Sequence, residues 1–133
     1  MRIDDKITEI DGYLGELLSI VPDDFREYIS DKKTKAACER YFEKIVEAVV
    51  DLAFLVVKET GLMIPEDDKE VFDSLAEDKL ISRELALRLK EAKGMRNILA
   101  HQYGNVDDEI VFQSITKELV RDVKELVLSL KKR

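Results

Sequence analysis

Tyr41-Phe42-Glu43-Lys44-Ile45-Val46-Glu47-Ala48-Val49-Val50-Asp51-Leu52-Ala53-Phe54-Leu55-Val56-Val57 is the stretch on which the fold turns. Only Glu43, Lys44, Glu47 and Asp51 are charged in it. Its apolar surface therefore spreads much further round a helix than one ordinary core-facing stripe. The helical stretch opens at Asp31 and reaches Thr60, where Gly61 stops it. Two arrangements accommodate such a helix. It lies centrally in its own bundle, or its excess face, including Val46, Val50, Ala53 and Val57, is a second burial surface. In that second case a symmetric homodimer contact is the most economical solution, and it is the arrangement expected.

On the N-terminal side, Ile3, Ile7, Ile10, Leu14, Leu17 and Val21 recur at steps of four and three, an amphipathic helix ending near Pro22. Residues 23–29 suit a short helical turn. On the C-terminal side, Pro65 with Glu66, Asp67 and Asp68 reads as a loop leading into a short helix that docks through Val71, Phe72 and Leu75. These acids have no histidine or cysteine nearby and read as complements to a helix dipole, not as metal ligands. Ser82 caps a further helix with Leu85, Leu89, Ala92, Leu99 and Tyr103 on one face. Gly104-Asn105 interrupts the pattern. Asn105 with Asp108 resembles a capping arrangement for a last helix that turns Ile115, Leu119, Val123, Leu126 and Leu130 inward. Four main helices, one or two short ones and tight connections predict an all-α, antiparallel up-and-down four-helix bundle, residues 1–133 forming a single domain.

Composition narrows the function. With 133 residues, 45% apolar, the chain fits one domain with a real core. A net charge of −7 argues against a broad electrostatic grip on phosphate backbones, so any nucleic-acid contact is expected to be local. The single Cys38 excludes an internal disulfide and suits a buried thiol, and a cytoplasmic protein is the simpler reading. Charges at Arg2, Asp4 and Asp5 stand where a signal peptide needs an apolar core, and the longest apolar run, residues 52–57, is too short to span a bilayer.

The chemistry gathers at Arg96-Asn97-Ile98-Leu99-Ala100-His101-Gln102-Tyr103, which holds the only histidine of the chain. On an ideal helix Arg96 falls within the apolar stripe, so it must be paired or face a cleft, because an isolated buried charge is very costly. A carboxylate from a neighbouring helix holding Arg96 for structural reasons is one possibility. His101 points to the far side, with Gly94 and Asn97. Five residues give about 140° of rotation, so Arg96 and His101 converge only where the helix ends or distorts, or where long side chains reach across. Cleavage of RNA by its own 2′-hydroxyl needs a proton acceptor, a proton donor and a cation, and no metal. Histidine and arginine supply all three roles, but one imidazole cannot be base and acid at once. A twofold dimer removes that limit.

The eight-residue segment resembles the Arg-x4-6-His signature of HEPN-domain proteins, in the Arg-Asn-x3-His-x-Tyr form of the HepT-like toxins. The similarity extends over most of the domain. It takes in the arginine-led apolar helix from Arg40, the Gly61-x3-Pro65 break, Phe72-x2-Leu75, and Val106-Asp107 before the last helix. The resemblance implies an all-α HEPN bundle and a homodimer with paired motifs in a cleft. It further implies metal-independent ribonuclease activity without a cofactor, as the toxin of a type II toxin-antitoxin pair. Arg96 and His101 would then be catalytic and Asn97 supporting. Tyr103 would be the residue that a minimal nucleotidyltransferase antitoxin modifies with AMP. Two alternatives stand beside this one: a non-catalytic module that docks such a nucleotidyltransferase with its nucleotide or substrate, and a purely structural helical dimer.

Overall fold

The computed structural model describes residues 2–101 and 106–132, and all regular structure among them is helical. The elements run α1 (Arg2–Ile20), α2 (Phe25–Ser30), α3 (Lys32–Glu59), α4 (Glu70–Glu77), α5 (Arg83–His101), α6 (Asp108–Gln113), a π-helical turn (Ser114–Glu118) and α7 (Leu119–Lys131). Short polar side chains set several of the starts. Asp24 accepts from the Glu27 N–H at 2.9 Å, and Asp31 from the Lys33 and Thr34 N–H groups at 3.1 and 3.3 Å, each satisfying helix-end donors that have no intrahelical partner. At α6, which opens the C-terminal helical run, the cap is Asp107, which accepts from the Glu109 and Ile110 N–H groups. The capping role expected of Asn105 falls outside the described residues, and Asp107 fills it.

Helix ends are equally local. Gly61 has φ +77°, with Gly61 N–H donating to Lys58 at 3.3 Å and Leu62 N–H donating to Val57 at 3.1 Å, the paired bonds of a Schellman stop. Lys79, after α4, takes the same left-handed conformation at φ 60°, with Lys79 and Leu80 donating to Ala76 and Leu75. No glycine relieves the second stop.

The centre of the molecule is α3. Its expected second burial surface is not on the outside: Val46, Val50, Ala53 and Val57 are all enclosed within the chain itself, at 5% exposure or less. A homodimer argued from those residues is therefore withdrawn, and the helix lies centrally in its own bundle. α1 packs along one side, where Lys6 Nζ lies 3.6 Å from Asp51 Oδ2 and Lys44 Nζ sits 5.0 Å from the Tyr13 ring centre. α4 and α5 pack on others. The polar residues Arg40, Lys44, Glu47 and Asp51 share the remaining stripe, since steps of three and four return to one helix face.

The C-terminal segment bends the period. Val111, Ile115, Leu119 and Val123 follow at steps of four and are all buried. On a regular helix three such steps drift about 120° from the starting face. The wider π turn between Ser114 and Glu118 absorbs the drift and keeps the four side chains on the core. Beside it, the buried Asp122 forms ion pairs with Arg88 and Arg121, whose Nε atoms each lie 3.0 Å from its Oδ1, which ties α5 to α7 and compensates the buried carboxylate. The Tyr28 ring packs 4.9 Å from Phe112, joining α2 to α6. Cys38 is fully buried, and burial pushes its thiol up to about 11.

Two substitutions test this packing. Val50→Asp is expected to remove roughly 3 kcal/mol or more of stability, because it buries an unpaired charge. Urea unfolding reads this, and a variant as stable as the parent would contradict the enclosure of α3. Lys79→Gly is expected to stabilise by about 1 kcal/mol, the left-handed strain relieved less the added freedom of the unfolded chain. The readout is a higher urea midpoint at unchanged slope.

Candidate active site

Ser82 Oγ accepts the Leu85 N–H at 3.0 Å, starting α5 where the sequence places it. Leu85, Ala86 and Leu89 anchor the helix to the core, and it continues without a break to His101, its last residue. The helix thus reaches His101 undistorted. Arg96 and His101 leave its axis about 140° apart.

Arg96 turns toward α3. Its Nη2 forms an ion pair with Glu47 Oε1, and its Nη1 donates to Asn97 Oδ1 at 3.3 Å. The Arg96 side chain is 18% exposed, and its Nε is buried without a hydrogen-bond acceptor. This is the carboxylate that an arginine on an apolar stripe demands. One signal for it was readable beforehand: Glu47 is among the four charges in an otherwise apolar stretch. His101 is exposed at the helix terminus, and Asn97 is half-buried one turn before it. Asn97 and His101 share a face, as the spacing of four requires. Tyr103 lies outside the described residues.

The rest of α5 is basic but locally neutralised. Lys90 Nζ lies 3.0 Å from Asp73 on α4, and the largely buried Lys93 lies 3.3 Å from Asp68 in the loop before α4. Asp67 Oδ1 accepts the Lys69 N–H at 2.7 Å. The acids after Pro65 therefore brace a turn and pair with α5. Among the described residues no group of three or more His, Cys, Asp or Glu side chains is placed to hold a metal ion. A groove of about 420 Å³ runs between α5 and the π turn, lined by Phe42, Leu89, Ala92, Met95, Ser114 and Asp122. Neither Arg96, Asn97 nor His101 lines it. In one chain the described part of the motif, Arg96 to His101, is an exposed helix end with a guanidinium held beside it.

Chemically, the arrangement offers a fixed cation, an amide and an exposed imidazole within two turns. No helix among the described residues is long and apolar enough to cross a membrane. A protein of Archaeoglobus fulgidus, provisionally named an RNase, is 39% identical over 83 residues, 62% of this chain. The chain spans 58% of that relative's length. The tRNA nuclease HepT of Aphanizomenon flos-aquae is 24% identical over 134 aligned positions, covering 96% of this chain and 91% of that one. Among solved structures, a tri-AMPylated HEPN toxin of Shewanella oneidensis in complex with an MNT antitoxin shares the fold. The TM-score is 0.92 at 24% identity, over 98% of this chain and 97% of that one. The ribonuclease HepT-like family matches residues 10–130, from the first helix through the last, and this chain belongs to that family.

Proposed function

We propose that this protein is a metal-independent endoribonuclease, the toxin of a toxin-antitoxin pair, with Arg96 and His101 as its catalytic residues and Asn97 in support. The observation that carries the reading is the motif's placement in a HepT-like chain. Arg96 is fixed by two contacts, and His101 stands exposed one turn beyond Asn97 on the same helix. In the reaction, a base takes the proton of the 2′-hydroxyl as its oxygen attacks the adjacent phosphorus. An acid then gives a proton to the departing 5′-oxygen. Arg96 stabilises the extra negative charge on the phosphorane between these steps.

One imidazole per chain supplies one of the two proton roles at a time. The working form is therefore a homodimer in which two motifs share a cleft, so that one His101 serves as base and the other as acid. The exposed motif end and Ile98, 41% exposed on the same helix, favour burial by a second copy here instead of on α3. The second partner is a minimal nucleotidyltransferase antitoxin. The Tyr103 hydroxyl attacks the α-phosphorus of ATP and pyrophosphate leaves, placing a negative phosphate near His101, where it repels RNA. An RNA substrate and such a partner imply a cytoplasmic protein.

His101→Ala is expected to abolish RNA cleavage and growth inhibition while leaving the helical fold intact. Undiminished cleavage by that variant would defeat the ribonuclease reading. Incubation with the nucleotidyltransferase and ATP is expected to add one or more AMP-sized increments to the intact mass and to silence cleavage. A Tyr103→Phe protein that still gains that mass would remove Tyr103 from the proposal.

A further inference from the structure

We infer that Glu47 is a positioning residue of the ribonuclease site, holding the Arg96 guanidinium at the angle from which it meets the scissile phosphate. The inference rests on the ribonuclease reading above. Arg96 carries five N–H donors in a rigid plane. Glu47 takes one on Nη2, Asn97 Oδ1 takes one on Nη1, and Nε is enclosed by protein. The two anchored terminal nitrogens and the enclosed Nε, through which the group is attached, are three points that fix its plane, so the remaining N–H on each terminal nitrogen has a set direction.

The same contacts orient the amide. With Oδ1 of Asn97 engaged by Arg96, its NH2 group is the end left for a substrate oxygen or for the face that Asn97 shares with His101. Glu47 thus acts on the reacting atoms through two side chains. Its own position suits that role. It comes from α3, held on the apolar sides by the core, whereas Arg96 stands five residues from the end of α5. The anchor belongs to the more rigid element. The Glu47 side chain is also partly open to water, at 41% exposure.

A carboxylate that orients a guanidinium also competes with phosphate for it. Its removal therefore separates binding from turnover. Glu47→Ala is expected to lower kcat at least tenfold while KM, and affinity for an uncleavable 2′-O-methyl oligoribonucleotide, stay level or improve. Glu47→Gln, which keeps an acceptor oxygen, is expected to recover kcat to within about threefold. A purely structural pair predicts a lower melting temperature for Glu47→Ala with unchanged kcat in the folded fraction, and that result would overturn the inference. So would equal kcat for the parent, Ala and Gln proteins. Arg96→Ala and His101→Ala run alongside as controls. If they are inactive while Glu47→Ala is not, only the positioning role fails. If the parent protein itself cuts no RNA, the ribonuclease reading fails and takes this inference with it.

Discussion

A helix apolar on nearly every side has to be surrounded, and that constraint on α3 organises the rest of the molecule. Cys38, Phe42, Ile45, Val49, Leu52 and Val56 are buried on it together with the four residues of its other flank. Burial of a large aliphatic side chain is worth roughly 1.5–3 kcal/mol, so the helix cannot leave either flank in water without losing a large part of a domain's marginal stability. α1, α4 and α5 close around it. What they leave open is the polar stripe of Arg40, Lys44, Glu47 and Asp51. Glu47 reaches Arg96 because that stripe borders α5.

The fold was largely legible because its signals are local. Asp31, Ser82 and Gly61 start or stop helices through backbone groups within a few residues, so their roles need no tertiary information. The enclosure of α3 was not legible. An apolar surface reads the same whether a neighbouring helix or a second chain covers it, and Val46 and Val50 carry no mark to separate the two. The π turn had a trace, the run of four-residue steps from Val111 to Val123. A period of 3.6 averages over that trace unless the drift is summed. Asp107 against Asn105 is the ordinary uncertainty of one or two residues at a helix end.

At the candidate site, residue types were readable and their partners were not. An arginine in an apolar stripe demands a carboxylate, but Glu43, Glu47 and Asp51 were equal candidates until the α3–α5 contact was known. The Asp122 pairing with Arg88 also ties α5 to α7. The sharing of the motif between Arg96 on the α3 side and His101 at the exposed end is a plain result of helix geometry, with about 140° between them.

That angle bears on how an acidic protein could hold RNA. The chain's charge of −7 repels a polyanion at long range, and on α5 Lys90 and Lys93 are already matched by Asp73 and Asp68. On the proposed ribonuclease reading, attraction for RNA would therefore come at short range from few groups, where desolvation strengthens each contact. One helix end presents a single guanidinium and a single imidazole on different sides, too little to cradle a phosphate from both. On the proposed reading, two copies related by a twofold axis would turn the divergence to use, since the other motif would supply the His101 that one Arg96 cannot face. On the proposed reading, the same economy suits control by AMP at Tyr103. A site whose attraction for RNA is so local is cancelled by a phosphate of like charge placed beside it, without any change of fold.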